Sequence, residues 1–269
     1  VIKMTIKEYV QLQKDLIRDE VSKLSVKPTI AIIQVNNDEA SNAYVKGKLN
    51  DANNLGIIAK LIKLDESTSE EELLKLINEI NNDDSIHGLI VQMPLPRHIN
   101  EDHIKMAVSP KKDVDGFHPL SSLHPCTPKG IVDYLTFEGV DFKDKNAVVI
   151  GRSNIVGKPM AKMLTNLHCN TTILHSRTSK ENMDMFIKNA DIIVIAIGKK
   201  WFLDTQEFKK DAIIVDVGIN RIDGKLYGDA RPNLDVKLQT PVPGGVGLLT
   251  RLTLMKNLLD AYYAQIKNS

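Results

Sequence analysis

The apolar positions of this chain switch between a helical period and a strand period along its whole length. Residues 5–24 carry the helical period. Pro28 then precedes Thr29-Ile30-Ala31-Ile32-Ile33-Gln34-Val35, an uncharged β-branched run that predicts a strand buried on both faces. The helical period returns over 41–55 and stops at Gly56, a residue type that commonly ends helices. A second strand is expected over 57–64. Ser69-Glu70-Glu71-Glu72 has the form of a capping box, in which Ser69 accepts from the third amide while Glu72 reaches back. Behind it Leu73, Leu76, Ile77 and Ile80 share one helix face, and a third strand follows over 86–93. Strands alternating with helices in this way predict a parallel sheet.

Met93-Pro94-Leu95-Pro96 puts two prolines where the third strand ends, so the chain must leave the sheet there. A second series then begins. Thr127-Pro128 predicts a helix start, with threonine as the cap and proline in the first helical position. Strands are expected over 146–150, 171–174, 191–197 and 212–217, and a final helix over 249–267. There is no internal repeat and no low-complexity segment. The expected fold class is α/β in two lobes, the second continuous and of nucleotide-binding size.

Composition narrows the functional classes. The 269 residues hold 35 Lys and Arg against 34 Asp and Glu, and 42% are apolar. A chain of this size can build its cores without disulfides or metal. A net charge of +1 gives no reason to expect a nucleic-acid or anionic-membrane partner. No apolar run approaches the ~20 residues of a membrane helix. Residues 1–15 interleave Lys3, Lys7, Glu8 and Lys14 with apolar positions, unlike a signal peptide. Only Cys126 and Cys169 are present, which fits a reducing compartment and the cytoplasm. The histidines stand singly and neither cysteine has a partner at ligand spacing, so no metal site is expected.

Candidate chemistry falls into two groups. The first is the segment from Ala147 to Pro159, which reads as a strand, a turn containing Gly151, Arg152 and Ser153, and a helix start at Gly157. Such a turn aims backbone N–H groups and the positive helix end past the strand, which suits a pyrophosphate. Its Gly-x5-Gly spacing differs from the dinucleotide fingerprint, and an ordinary β–α turn also accounts for it. The next strand ends in His175-Ser176-Arg177-Thr178, where NAD-specific folds place a carboxylate for the ribose. A guanidinium and hydroxyls there suit a 2′-phosphate, so NADP is preferred over NAD, with Arg152 as a candidate second clamp. Gly198, Gly218 and Ile219 follow later strands at the edge where open sheets bind ligands.

The second group is polar. Tyr44 and Lys48 are four apart on one helix face, a pattern that a surface tyrosine and a solvated lysine also produce. Gln92 sits at the exit of a buried strand. Lys112-Asp113-Val114-Asp115-Gly116 places two carboxylates in a loop, which an Asp-Gly turn also explains.

Six motifs occur in order: Tyr44-Val45-Lys46-Gly47-Lys48, the run from Gly88 to Pro96 ending Val-Gln-Met-Pro-Leu-Pro, Lys112 to Gly116, Pro125-Cys126-Thr127-Pro128-Lys129-Gly130, Gly151-Arg152-Ser153 with Val156-Gly157-Lys158-Pro159, and Thr240-Pro241-Val242-Pro243-Gly244-Gly245-Val246-Gly247. In this the chain resembles the bifunctional methylenetetrahydrofolate dehydrogenase/methenyltetrahydrofolate cyclohydrolase family. The resemblance implies Lys48 as the catalytic lysine, Gln92 as the residue that holds and tunes it, and Asp115 as the pterin ligand. It implies Tyr44 packed on the folate ring, with Pro243, Gly244 and Gly245 also at the substrate. Gly151, Arg152, Ser153, Gly157, Ser176, Arg177, Gly198, Gly218 and Ile219 are implied as the NADP site. The implied architecture is a folate-binding catalytic lobe over 1–117, completed by a C-terminal helix over 249–269, and a Rossmann-like NADP-binding lobe over 118–248. A cleft between the lobes and a homodimer paired through the nucleotide lobe are implied as well.

The implied chemistry agrees with the residue types. Hydride transfer from 5,10-methylenetetrahydrofolate needs mainly alignment of donor and acceptor. Hydrolysis of the methenyl cation needs water activation, which a lysine performs near neutrality only with a depressed pKa. A neutral glutamine positions a lysine without the charge that would raise that pKa again. Two departures from the family pattern stand out. The 116–124 loop is short, and Gly247-Leu248-Leu249-Thr250 replaces Gly-Pro-Met-Thr. The short loop makes a dehydrogenase with weakened hydrolysis an alternative. A shikimate-type NADP dehydrogenase and a folate-binding protein without turnover are others.

Overall fold

The computed structural model describes residues 3–267. Val1 and Ile2 of the expected first lobe, and Asn268 and Ser269 of its expected closing helix, lie outside the described residues. The chain folds into two compact units, one of Leu12–Cys126 with Arg251–Ser269 and one of Val1–Gln11 with Thr127–Thr250. The division therefore falls inside two helices, α1 (Ile6–Ser22) and α8 (Val246–Ile266), and at the start of α5 (Cys126–Phe137). It does not fall at 117/118.

The first unit is built on a three-stranded parallel sheet. β1 (Thr29–Gln34) is its centre, flanked by β2 (Ile58–Lys63) and β3 (Gly88–Val91). All six β1 residues are buried, as an uncharged run between two parallel neighbours must be. α2 (Glu39–Asn54) and α3 (Glu70–Asn81) make the crossovers. Ala31, Ile33, Leu73, Ile77, Leu89 and Val91 belong to one buried cluster, closed by Ile104 of α4 (Glu101–Ala107). That short helix was not expected from the sequence. The part of α8 in this unit is tied to the sheet by His87, whose ring stands edge-on to Tyr262 at 4.8 Å while its Nδ1 accepts from the Thr29 amide at 3.0 Å. Asn257 adds donations to the Val114 and His124 carbonyls at 2.9 and 3.0 Å.

The second unit carries a five-stranded parallel sheet in the order β10-β7-β6-β4-β5. These are β4 (Asn146–Ile150), β5 (Asn170–Leu174), β6 (Ile192–Ile195), β7 (Ile213–Asp216) and β10 (Leu238–Gln239). α6 (Gly157–Asn166) and α7 (Lys180–Asn189) connect the first three. A hairpin of β8 (Asn220–Ile222) and β9 (Lys225–Tyr227) turns at Asp223 and Gly224, both at positive φ, as two-residue hairpins favour. Neither the hairpin nor β10 was expected. Residues 3–9 join this unit because their side chains and amides have partners there. Tyr9 lies 5.4 Å from the Tyr134 ring and 4.9 Å from Phe137, and the Glu138 carboxylate accepts from the Lys3 and Met4 amides.

Most helix ends agree with their local chemistry, with two shifts. α5 begins at Cys126, so Thr127 is inside the helix and its hydroxyl pairs with that of Thr250 at 2.8 Å instead of capping. α8 begins at Val246, three residues before the expected start. Leu248, standing where the family pattern has proline, uses its amide to donate to Gly245 at 3.0 Å. Both cysteines are buried thiols that form no disulfide, and among the described residues no helix is long and apolar enough to cross a membrane.

The capping box of α3 is complete, with Ser69 Oγ accepting from Glu72 and the Glu72 carboxylate accepting from Ser69. Ser69→Ala should lower stability by about 1 kcal/mol, read as an earlier midpoint in urea. An unchanged midpoint would show that tertiary packing alone holds this helix.

Candidate active site

In the Leu12–Cys126 unit the site begins on α2. Asp38 caps this helix by accepting from the Ser41 amide at 2.9 Å, which sets its first turn. Val45 and Ala52 are buried, while Tyr44 is 44% exposed and Lys48 half-buried one turn further on. The Gln92 amide donates to Ile33 at 2.8 Å, so it continues the β3 ladder by one residue. Its side-chain N–H donates to the Met93 carbonyl at 2.8 Å, which turns Oε1 towards α2. There Oε1 accepts from Lys48 Nζ at 2.9 Å. The expected lysine–glutamine pair is therefore a direct hydrogen bond between residues 44 apart in the chain.

The two carboxylates of the Lys112–Gly116 motif have separate roles. Burial pushes the Asp115 carboxyl above its usual range, and the Lys48 cation opposes that rise. Asp113 is buried, and its oxygens accept from the Gly116 and His118 amides at 3.2 and 2.8 Å. The short 116–124 loop is therefore folded over Asp113, while Asp115 is the carboxylate coupled to Lys48. Both carboxylates line a small cavity together with Leu89, Val91, Met93 and Phe117.

Two residues of this region were not singled out from sequence. Gln34, fully buried at the end of β1, donates to Asn42 Oδ1 at 2.9 Å and so ties the strand to α2. Arg251 pairs with Asp51 at 2.9 Å, and Lys14 reaches the same carboxylate at 2.6 Å. The Arg251 guanidinium lies against Gly47, where a β-carbon would collide with it. The glycine before Lys48 is thus explained by a residue 204 positions away, which no local pattern reveals.

In the other unit the parallel register brings four loops to one sheet edge. Ile150 pairs with Leu174 and with Ile195, and Ile195 pairs with Asp216. Gly151, the 175–177 turn, Gly198 and the 217–219 turn therefore leave adjacent strands together. Gly151 has φ +122°, and a β-carbon at Gly157 would strike the Gly151 carbonyl, so only glycine lets α6 start this close to the strand. The Ser153 hydroxyl accepts from the Val156 and Gly157 amides, both at 3.2 Å. Arg152, Ser176 and Arg177 are exposed at this edge. The Arg177 amide donates to His175 Nδ1 at 3.2 Å, and its guanidinium leaves from that fixed turn. Ile219 is 45% exposed, and Gly198 has φ +66°. Pro243, Gly244 and Gly245 belong to this unit too, following β10, with the Val242–Pro243 bond cis.

A parallel sheet with a glycine turn opening a helix, and exposed arginines beyond the next strand, defines a nucleotide-binding α/β unit. Its companion presents a lysine–amide–carboxylate group. Known proteins agree with both parts. The sequence model of the tetrahydrofolate dehydrogenase/cyclohydrolase catalytic domain matches residues 2–115, and that of the NAD(P)-binding domain matches residues 125–266. The chain belongs to the tetrahydrofolate dehydrogenase/cyclohydrolase family. The bifunctional protein FolD of Campylobacter concisus is 45% identical, over 98% of this chain and 96% of its own. The crystal structure of the Campylobacter jejuni bifunctional enzyme FolD superposes with a TM-score of 0.88 at 37% identity, covering 96% and 95%. Trypanosoma brucei methylenetetrahydrofolate dehydrogenase-cyclohydrolase, solved with NADP and an inhibitor, gives a TM-score of 0.93 at 26% identity, covering 99% and 98%. The chain is an enzyme of one-carbon folate metabolism with dehydrogenase and cyclohydrolase activity.

Burial raises the Asp113 carboxyl to about 6, with the Asp115 charge adding to the rise. The folded state thus holds this proton more tightly than the unfolded chain. The stability tied to the group is complete below the ordinary carboxylate range and is lost as pH climbs towards 6. Between about pH 4 and about pH 7.5 the wild type should lose about 2 kcal/mol relative to Asp113→Asn, measured by denaturant unfolding of both proteins. A difference between them that does not change with pH would overturn this account of Asp113.

Proposed function

We propose that Lys48, Gln92, Asp115 and Tyr44 form the folate site at which 5,10-methylenetetrahydrofolate is oxidised and the methenyl product hydrolysed to 10-formyltetrahydrofolate. The observation that carries this reading is the Lys48–Gln92 hydrogen bond in the field of the poorly solvated Asp115. Gln92 Oε1 fixes the amine while its own N–H is committed to Met93. Gln92 thus positions the amine through a neutral group. In the hydrolytic step Lys48 Nζ takes a proton from the water that attacks the methenyl carbon. As the C–N5 bond breaks, the Lys48 ammonium returns that proton to N5, while the hydroxyl on the former methenyl carbon loses its proton to solvent and becomes the carbonyl of the formyl group left on N10. Asp115 binds the pterin through its N–H groups, and the exposed Tyr44 ring offers a face for the flat substrate.

The second-unit edge fits NADP. The close Gly151–Gly157 turn leaves room for a phosphate backbone against the start of α6, and Arg152 and Arg177 are exposed beside it. Gly151, Arg152, Ser153 and Gly157 would hold the pyrophosphate side, and Ser176 and Arg177 the 2′-phosphate. Gly198, Gly218 and Ile219 would line the nicotinamide side. Bound there, NADP supplies the hydride acceptor for the oxidation. We further propose the cytoplasm as its compartment, which the two buried thiols support, and a homodimer paired through the NADP-binding unit. The half-exposed edge strand β5, with Ile173 37% exposed, supports the dimer.

Mixing the protein with methylenetetrahydrofolate and NADP, and following NADPH and methenyltetrahydrofolate absorbance together, tests both activities. Lys48→Met should slow methenyl hydrolysis by about 10²-fold or more, the range of a lost acid–base group. Undiminished hydrolysis would remove Lys48 from the chemistry. Arg177→Ala should weaken NADP by about 10- to 100-fold, the loss expected for charge-assisted hydrogen bonds, and NAD far less. Equal losses for the two cofactors would move 2′-phosphate recognition away from this guanidinium.

A further inference from the structure

Asp229 was not singled out from sequence, yet it is fully buried and its side chain accepts from four donors. Its Oδ2 receives the Ile197 amide at 2.8 Å and the Gly198 amide at 3.0 Å. Its Oδ1 receives the Lys199 amide at 2.7 Å and Asn220 Nδ2 at 2.9 Å. Three consecutive amides converging on one point form a concavity that binds anions, and here the chain's own carboxylate occupies it from within the fold. The same carboxylate lies against Gly218, where a β-carbon would overlap it, so the loop after β7 can approach only as glycine. Asp229 is itself placed from behind. Its amide donates to Asp216 Oδ1 at 3.0 Å, and the Gly218 amide donates to the same oxygen at 3.0 Å.

One side chain thus holds the backbone of the 197–199 loop after β6 and, through the Asn220 side chain and its close approach to Gly218, the 218–220 loop after β7, two loops that leave neighbouring strands at the cofactor edge. We propose that Asp229 is the positioning residue that sets these two loops in the form that receives NADP, without touching the cofactor itself. This rests on the reading of that edge as the NADP site. A carboxylate is needed rather than an amide, because all four incoming groups are donors, two on each oxygen, and an amide would turn its N–H groups against two of them.

A residue that merely supported the fold would lower both activities as the protein unfolds. A positioning residue divides them, since hydrolysis of preformed methenyltetrahydrofolate consumes no cofactor. Asp229→Asn should raise the KM for NADP by about 10-fold or more, the scale of a hydrogen bond lost to a charged group. Its hydrolysis of methenyltetrahydrofolate should stay within about twofold of wild type, since that chemistry is assigned to Lys48. Asn220→Ala, which deletes one of the four donors, keeps the test available if the first variant does not fold. It should raise the NADP KM by about three- to tenfold. An unchanged NADP KM in a folded variant, or parallel loss of oxidation and hydrolysis, would overturn the assignment to Asp229. If the wild type itself neither reduces nor binds NADP, the reading of the edge is what fails.

Discussion

Parallel strand pairing is the constraint on which the rest of this structure depends. In each of the two main sheets every strand runs the same way and the register steps evenly from neighbour to neighbour. Loops that follow strands therefore collect at a single edge, whatever their separation in sequence. Gln34 and Gln92 end adjacent strands of one sheet. Gly151, Arg177, Gly198 and Gly218 follow adjacent strands of the other. A one-residue slip would exchange the two faces of β1 or β6, and both faces are packed in cores of fitted side chains, so the edge geometry is enforced by the cores around it.

Buried carboxylates do the organising at those edges. Asp113 gathers the 116–124 loop, Asp216 gathers the amides of Gly218, Asp229 and Ala230, and Asp229 gathers 197–199. Desolvation opposes this use of acids, and it raises Asp113 and Asp216 to about 6 despite two or three amides on each. Burial therefore outweighs hydrogen bonding at these positions, and each acid holds its loop against an electrostatic cost. Asp51 is treated differently: Lys14 and Arg251 meet it directly, so charge answers charge beneath the helix that carries Lys48.

The departures from the family pattern have local structural answers. The short loop after Asp115 is held through Asp113, the Leu120 amide on His118 Nδ1 and the Asn257 side chain on the His124 carbonyl. Leu248 replaces a proline within the first turn of α8 and gains the donor that proline lacks, which it directs to Gly245. Neither change disturbs the Lys48–Gln92 bond.

What the sequence determined by itself was whatever depends on near neighbours. The alternation of periods led to the parallel α/β class, the capping box placed α3, and the glycine turn after Ile150 located the start of α6. The pairing of Lys48 with Gln92 was legible because their motifs stand in a recognisable order. What only the tertiary structure decided concerns residues whose meaning comes from distant partners. The assignment of Tyr9 to the second unit needs Tyr134 and Phe137, and the glycine at position 47 needs Arg251. Which of Asp113 and Asp115 is coupled to Lys48, and the clamp at Asp229, likewise emerge only when strands are laid side by side. A buried charge is recognised by what surrounds it, and the folding of the chain brings those surroundings together from far along its length.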